Sequence, residues 1–167
     1  MIETKPRAPE GRKSPPGLCI GIPSVQRNGI SYLKSTLGSL QHGLTSEERA
    51  SLRFVVFLAH SDQEEHEDYE QPWLANMADE LPSYRDSPER FVFSNAIQLN
   101  KTHATKSKFD YSIVMEECER TGAPYTLMVE DDVVFMDGWH HRTMQALDVA
   151  TAKTWAAGYQ DCKLFLA

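Results

Sequence analysis

The sequence predicts an α/β fold in which a mostly parallel sheet is flanked by helices. Short apolar runs alternate along the chain with segments whose apolar residues recur at helical spacing. The runs are apolar nearly throughout, which is typical of parallel strands buried on both faces. Such alternation implies right-handed crossovers and therefore a Rossmann-like arrangement. The 167 residues suffice for one domain with a substantial core.

Two strands and three helical segments are predicted in the first half of the chain. Pro23 ends the first apolar run, because proline has no amide proton for a strand ladder, and Gly43 ends the first helical pattern. Thr45 and Glu48 have the spacing of a capping box, which predicts the start of a short helix. The predicted elements are strand 18–25, helix 30–40, a short helix after Thr45, strand 53–60 and a helix near 72–80.

Two further strands and two helices are predicted in the second half. The clearest helix covers residues 105–121, where Tyr111, Val114, Met115 and Cys118 recur at helical spacing. The predicted elements are strand 90–96, helix 105–121, strand 125–135 and a helix near 139–150.

The fourth predicted strand carries three adjacent carboxylates, Glu130, Asp131 and Asp132, between two apolar blocks. In an extended strand Glu130 and Asp132 share a face and Asp131 points the opposite way. Two carboxylates on one face repel each other unless a cation lies near them. Mg²⁺ or Mn²⁺ suits such oxygen ligands better than zinc does. The triplet therefore predicts a metal–diphosphate clamp, and the alternative is a solvated acidic loop at a strand end.

Polar residues gather where the predicted strands end. In parallel α/β sheets, ligands bind beyond the carboxyl ends of the strands. The sequence therefore predicts one polar rim built from four turns. Its members after strands one to four are Pro23, Ser24 and Arg27; His60, Ser61 and Asp62; Asn95 and Asn100; and Glu130, Asp131 and Asp132.

The acidic segment after the second strand is predicted to be a solvated loop. His60, Asp62 and His66 lie in or beside it. Their spacing does not place all three on one helical face, so no metal cluster is predicted there.

Composition and charge exclude several classes of function. A net charge of −7 argues against a broad contact with nucleic acid. The cysteines include no C-x-x-C pair, so neither a zinc finger nor a disulfide framework is indicated, and Cys19 and Cys118 are interpreted as small buried apolar residues. The sequence contains no apolar run of about eighteen residues, which is the length needed to span a bilayer. Residues 1–17 lack the core of a signal peptide and are predicted to be a disordered linker or stem.

Four blocks of sequence carry the predicted site. Taken together, and in their order along the chain, these blocks resemble the GT-A glycosyltransferases over roughly residues 18–150. They are most similar to the superfamily that joins N-acetylglucosaminyltransferase IV with the post-GPI-attachment N-acetylgalactosaminyltransferase, and within it to fungal membrane proteins. The blocks are LCIGIPSVQRNGISYLKSTLGSL, FVVFLAHSD, TKSKFDYSIVMEE and YTLMVEDDVVF.

The resemblance implies an inverting transfer of N-acetylglucosamine or N-acetylgalactosamine from a UDP-sugar, with Mn²⁺ or Mg²⁺ as cofactor. The implied partners are the nucleotide sugar and a glycan acceptor, either the GPI-anchor glycan or an N-glycan, and no nucleic acid. The implied location is the lumen of the Golgi or endomembrane system. Membrane attachment is expected only through segments that this chain lacks.

The resemblance also implies roles for individual residues. Asp132 would be the principal metal ligand, and Glu130 would assist at the metal or the ribose. The implied nucleotide-binding set is Pro23, Ser24, Val25 and Arg27 in the first turn, Asp62 after the second strand, Lys106, Asp110 and Tyr111 on the third helix, and Asp131 in the triplet.

Each of these side chains also has a structural alternative. Arg27 would be an ordinary surface residue after a strand. Lys106 would belong to a solvated basic face with Lys101 and Lys108. Asp110 would pair or cap locally, and Tyr111 would face the core.

A general base for inverting transfer is not identified. The related enzymes supply it after the acidic strand, and Asp161 is the one carboxylate in residues 151–167. The expectation is a nucleotide-sugar-binding domain at 18–150 followed by a truncated segment, so that the catalytic domain is incomplete. The alternatives are a non-catalytic nucleotide-sugar-binding or interaction module, and a metal-dependent nucleotidyl transferase or phosphohydrolase. The nucleotidyl transferase or phosphohydrolase is disfavoured, because those chemistries usually need more lysine or arginine in the first turn than Arg27 alone supplies.

Overall fold

The structure, a computed structural model, describes residues 15–27, 29–99, 103–158 and 165–166. Its sheet has four parallel strands in the order β2-β1-β3-β4. This arrangement confirms the predicted fold class, a parallel sheet flanked by helices. The strands are β1 Leu18–Ser24, β2 Leu52–Leu58, β3 Tyr125–Met128 and β4 Phe165–Leu166.

Helices connect the strands and cover both faces of the sheet. The capping box predicted at Thr45 is present, because its hydroxyl accepts from the Glu48 amide and the Glu48 carboxylate accepts from the Thr45 amide. The α-helices are α1 Leu33–Gln41, α2 Ser46–Ser51, α3 Pro72–Met77, α4 Pro88–Leu99, α5 His103–Arg120 and α6 Trp139–Ala156. Short 3₁₀ turns cover Gln63–Glu65 and Tyr84–Asp86.

The two faces of the sheet are sorted by the alternation of side chains along each strand. Ile20 and Phe54 pack on one face, against helix α1 and Trp139. Val55 and Phe57 pack on the opposite face, against helix α5. Strands β1 and β2 are thus buried on both faces, as their continuous apolar runs predict.

The predicted third strand, residues 90–96, is wrong, because the segment belongs to helix α4. The helix buries a single stripe, with Ser94 and Ile97 inside and Val92 well exposed. Arg90 pairs with two carboxylates of helix α5, and the ring of Phe93 meets that of Phe109 at 4.7 Å. Packing on a neighbouring helix therefore overrides a local composition that favours a strand.

This correction also removes one turn from the predicted rim. Asn95 lies inside helix α4 and not at the end of a strand. Asn100, like Lys101 and Asp161, lies outside the described residues, as does most of the predicted linker at 1–17.

Strand β3 ends earlier than predicted. The last backbone hydrogen bond of its ladder with β1 runs from the Val129 amide to the Gly21 carbonyl, at 2.9 Å. The chain then turns at Asp131 and Asp132 and reaches helix α6 through an irregular segment. The acidic triplet therefore follows the end of the strand and does not lie within it.

Cys19 and Cys118 form a disulfide, with the sulfur atoms 2.01 Å apart, so their interpretation as free apolar side chains is wrong. The bond joins strand β1 to helix α5, and both residues are fully buried. Helix α5 lies directly on β1 at this point. A Cβ atom added at Gly21 would lie 2.3 Å from a methyl carbon of Val114.

No helix in the described ranges is long and apolar enough to cross a bilayer.

Candidate functional site

The candidate site lies at the carboxyl edge of the sheet, where strands β1, β2 and β3 end. Ser24 closes strand β1 and is 1% exposed. Its carbonyl accepts from the Ala59 amide at 2.7 Å, which joins the ends of β1 and β2. The acidic triplet directly follows β3 and lies at the same edge. Three of the four predicted strand-end turns therefore meet where the sequence places them.

Asp131 is the buried member of the triplet. One carboxylate oxygen accepts from the Ser24 hydroxyl at 2.5 Å, and the other lies 2.9 Å from a terminal nitrogen of Arg27. Its backbone carbonyl accepts from the Thr36 hydroxyl at 2.7 Å. A carboxylate that is only 4% exposed needs such partners, because an unpaired buried charge is strongly destabilising. Asp131 therefore anchors the triplet to the sheet edge.

Glu130 and Asp132 face outward on either side of this anchor. Asp132 lies 3.4 Å from the second terminal nitrogen of Arg27, and its side chain is 41% exposed. Glu130 is exposed as well. The alternation expected from a strand thus persists through the triplet, although the strand itself has ended.

The donor atoms at this edge are compatible with a hard divalent cation. Among the described residues, no group of three or more histidine, cysteine, aspartate or glutamate side chains is arranged to hold a metal. Mg²⁺ and Mn²⁺ commonly take one or two carboxylates and fill their remaining positions with water and substrate phosphates. The two exposed carboxylates, Glu130 and Asp132, fit that pattern and do not form an all-protein cage.

Arg27 turns back over the triplet from the loop that follows strand β1. Its guanidinium contacts both Asp131 and Asp132 and lies 5.6 Å from the ring centre of Tyr32. Its carbonyl accepts from the amide of Ile30, which bends the loop back on itself. Arg27 is therefore part of the acidic site, and the alternative of an isolated surface arginine does not describe it.

His66 completes the buried network, and sequence reasoning missed it. The residue is 2% exposed, so the prediction of a solvated segment is wrong at this position. Its Nδ1 accepts from the Asp68 amide at 3.2 Å, and its Nε2 lies 3.1 Å from the Ser24 hydroxyl. We assign the proton to Nε2, which then donates to Ser24 while Ser24 donates to Asp131. Burial lowers the pKa of His66, which favours this neutral form.

Ser24, His66 and Asp68 superficially resemble a nucleophilic triad. A nucleophile must reach its substrate and pass its proton to the histidine. Ser24 is buried and directs its proton to Asp131. The Asp68 carboxylate is 3.8 Å from Nδ1 of His66, and that nitrogen already accepts from a backbone amide. The three residues therefore position Asp131 and do not form a hydrolytic centre.

His60 joins the loops that follow β1 and β2. Its Nε2 accepts from the Gln26 amide at 2.8 Å, and the side-chain oxygen of Gln26 accepts from the Glu67 amide at 2.9 Å. Burial, followed by the positive charge of Lys106, lowers the pKa of His60. The imidazole thus serves as a neutral acceptor that holds the loop carrying Arg27.

Lys106 and Asp110 lie in a separate cluster with Tyr84. The ammonium of Lys106 donates to the Ala59 carbonyl at 2.6 Å, to the Tyr84 hydroxyl at 3.1 Å and to Asp110 at 2.9 Å. Tyr84 donates to Asp110, which is buried. Burial raises the pKa of Asp110, and the adjacent Lys106 opposes that shift. The geometry matches the local-pairing alternative for Asp110, and Lys106 does not lie on a solvated basic face.

The remaining predicted residues surround the edge less closely. Asp62 caps a 3₁₀ turn and lies 3.5 Å from Arg85. Val25 is exposed beside Ser24, whereas Pro23 is half-buried within β1. Tyr111 is half-buried near the triplet. Burial and then the charges of the three carboxylates raise the pKa of Tyr111.

Fold and site together define an α/β protein with an anchored acidic site at the carboxyl edge of a parallel sheet. The chain is similar to alpha-1,3-mannosyl-glycoprotein 4-beta-N-acetylglucosaminyltransferase A of Xenopus tropicalis, with 31% identity over 131 residues, which is 69% of this chain and 24% of the relative. The Bos taurus enzyme of the same name is 29% identical over 133 residues, 70% of this chain and 24% of the relative. The corresponding B enzyme of Danio rerio is 28% identical over 133 residues, 70% of this chain and 23% of the relative.

These similarities make the chain a distant relative of the N-acetylglucosaminyltransferases, which confirms that part of the predicted resemblance. The chain spans about a quarter of the length of the relatives it matches. No family profile matches the chain. No solved structure matches it either. The GT-A assignment and the fungal branch stay predictions.

Proposed function

We propose that this chain is the donor-binding part of a metal-dependent inverting glycosyltransferase that uses a UDP-sugar. The observation that carries the proposal is the difference in environment between Asp131 and Asp132. Asp131 is fixed by Ser24 and Arg27, and the neighbouring Asp132 is thereby presented at the open edge. Similarity to N-acetylglucosaminyltransferases supplies the reaction class.

Asp132, assisted by Glu130, would hold Mn²⁺ or Mg²⁺. When bound, such a cation neutralises the diphosphate that leaves from the donor. The chain's own contribution is to hold the carboxylates in place, because His66 and Ser24 fix Asp131. Arg27 supplies a planar fork of donors that suits phosphate oxygens.

The names of the relatives support a choice of donor and acceptor. Their names describe N-acetylglucosamine transfer onto alpha-1,3-mannosyl-glycoproteins. We therefore favour UDP-N-acetylglucosamine over UDP-N-acetylgalactosamine, and the N-glycan of a glycoprotein over the GPI-anchor glycan. The buried disulfide supports a lumenal location, because such bonds persist in oxidising compartments.

Calorimetric titration of UDP into the full chain, with and without Mn²⁺, tests the proposal. We expect binding only when Mn²⁺ is present. Asp132→Asn should weaken that binding by at least about tenfold, since one charged ligand is lost. Asp137→Asn is the matched control, because Asp137 is highly exposed and its ion pair with His42 is 3.8 Å long. Unchanged UDP affinity in Asp132→Asn would contradict the metal clamp.

A further inference from the structure

We propose that Arg27 is the built-in counter-cation of the acidic site. It holds Asp131 at all times and covers Asp132 only until a divalent cation takes that carboxylate. The inference rests on the proposed metal and nucleotide binding, and it adds what the chain does before either ligand arrives.

The two ends of the Arg27 contact differ in strength. The nitrogen that faces Asp131 lies at 2.9 Å, within the range of a charge-assisted hydrogen bond, and its partner is buried. The nitrogen that faces Asp132 lies at 3.4 Å, outside that range, and both side chains are about two-fifths exposed. A solvated pair of this kind contributes little to stability. Arg27 can therefore release Asp132 at small cost and keep Asp131.

The local charge leaves room for a divalent cation. The triplet contributes three negative charges, and its ion pairs within the described ranges all come from the single guanidinium of Arg27. Three negative charges less one positive charge leave two, which one divalent cation balances. Arg27 thus neutralises the site only in part, and it does so at the exposed carboxylate that a metal would need.

Arg27 is also placed to act after its release. Its side chain is 39% exposed, and the ring of Tyr32 lies beneath it. An aromatic face supports a guanidinium without using its N–H donors. The freed nitrogen would then be available to the phosphate oxygens of the donor.

The two roles predict effects of opposite sign. Removing the guanidinium takes a competing positive charge from the carboxylates, so Mn²⁺ alone should bind more tightly. The same change removes a phosphate donor, so UDP should bind more weakly once Mn²⁺ saturates the site. A purely structural arginine would weaken both interactions when replaced.

The test compares the full-length wild-type chain with Arg27→Gln and Arg27→Lys. Free Mn²⁺ is measured by electron paramagnetic resonance during titration, and UDP is titrated by calorimetry at saturating Mn²⁺. We expect Arg27→Gln to tighten Mn²⁺ binding and to weaken UDP binding, each by roughly tenfold, the effect of one neighbouring charge at a partly exposed site. Arg27→Lys keeps the charge and should tighten Mn²⁺ binding less. Arg120→Gln, which breaks an exposed pair with Glu117 at the end of helix α5, should change neither affinity.

The outcomes separate the two proposals. If the wild-type chain binds Mn²⁺ and UDP but neither Arg27 variant binds Mn²⁺ more tightly, the counter-cation role is overturned and the proposed function stands. If neither the folded wild-type chain nor any folded variant binds Mn²⁺ or UDP, the counter-cation role and the proposed function both fail. Thermal melts followed by circular dichroism establish that each variant is folded, and Arg27→Lys carries the test if Arg27→Gln does not fold.

Discussion

Neighbouring residues of the acidic triplet meet different surroundings. Asp131 is enclosed and bonded through both carboxylate oxygens, whereas Asp132 lies at the surface with one long contact. Substitutions at the two positions should therefore be felt in different properties. The buried residue contributes to the stability of the sheet edge, and the exposed one contributes to ligand binding.

Asp131→Asn tests this distinction. The amide nitrogen would face a donor, either the Ser24 hydroxyl or the Arg27 guanidinium, so a charge-assisted bond is lost. We expect the free energy of unfolding to fall by about 2–3 kcal/mol, measured by urea denaturation. Asp137→Asn should change it by no more than about 0.5 kcal/mol, as is usual for exposed positions. Equal stability of the two variants would mean that Asp131 is not the anchor of the triplet.

Sequence reasoning identified several members of the site and missed another for a physical reason. Ser24, Arg27 and the acids all lie at strand ends, where the parallel-sheet rule places ligand-binding groups. His66 lies in an acidic segment without periodicity, and its partner Ser24 is 42 residues away. A single buried imidazole in such a segment leaves no local signal.

At the scale of elements, strand predictions succeeded where burial on both faces dictates composition. Strands β1 and β2 are buried on both faces, which requires continuous apolar runs, and both were predicted. The run RFVFSNA begins with a similar apolar stretch, but it packs one stripe on helix α5. Its salt bridges from Arg90 to Glu116 and Glu117 span 26 and 27 residues. A prediction made from neighbouring residues in the sequence therefore cannot detect them.

The contact of helix α5 with strand β1 requires a glycine. A Cβ atom at Gly21 would lie 2.3 Å from a Val114 methyl carbon and 3.0 Å from the Met128 sulfur. The Cys19–Cys118 disulfide holds the two elements together, so they cannot separate to make room.

Gly21→Ala should therefore destabilise the chain through overpacking. We expect a loss of about 1–3 kcal/mol in the free energy of unfolding, measured by urea denaturation. Gly38→Ala is the matched control, because Gly38 lies inside helix α1 and a Cβ atom there meets nothing within 4 Å. That variant should gain about 0.5–1 kcal/mol, the usual advantage of alanine in a helix. Gly21→Ala with wild-type stability would contradict the close packing of α5 on β1.

At the scale of the whole molecule, two neutral imidazoles link the loops of the carboxyl edge. His60 accepts from the Gln26 amide, and His66 accepts from the Asp68 amide. Protonation of either ring removes the acceptor. Burial is the main cause that lowers the pKa of both residues below the ordinary value of 6.5. The folded chain therefore binds fewer protons at these sites than the unfolded chain does.

The sign of the pH dependence follows from linkage. As the pH falls below about 6.5, the unfolded chain takes up protons that the folded chain resists, so stability declines until the lowered pKa values are reached. We expect the urea midpoint to fall steadily between pH 7 and pH 5.5 at constant ionic strength. His60→Gln should flatten this slope, because the glutamine oxygen can accept from the Gln26 amide without titrating. His141→Gln, at an exposed position, is the matched control and should retain the slope. A midpoint that holds constant or rises between pH 7 and pH 5.5 would show that the two imidazoles are not buried acceptors of the loops.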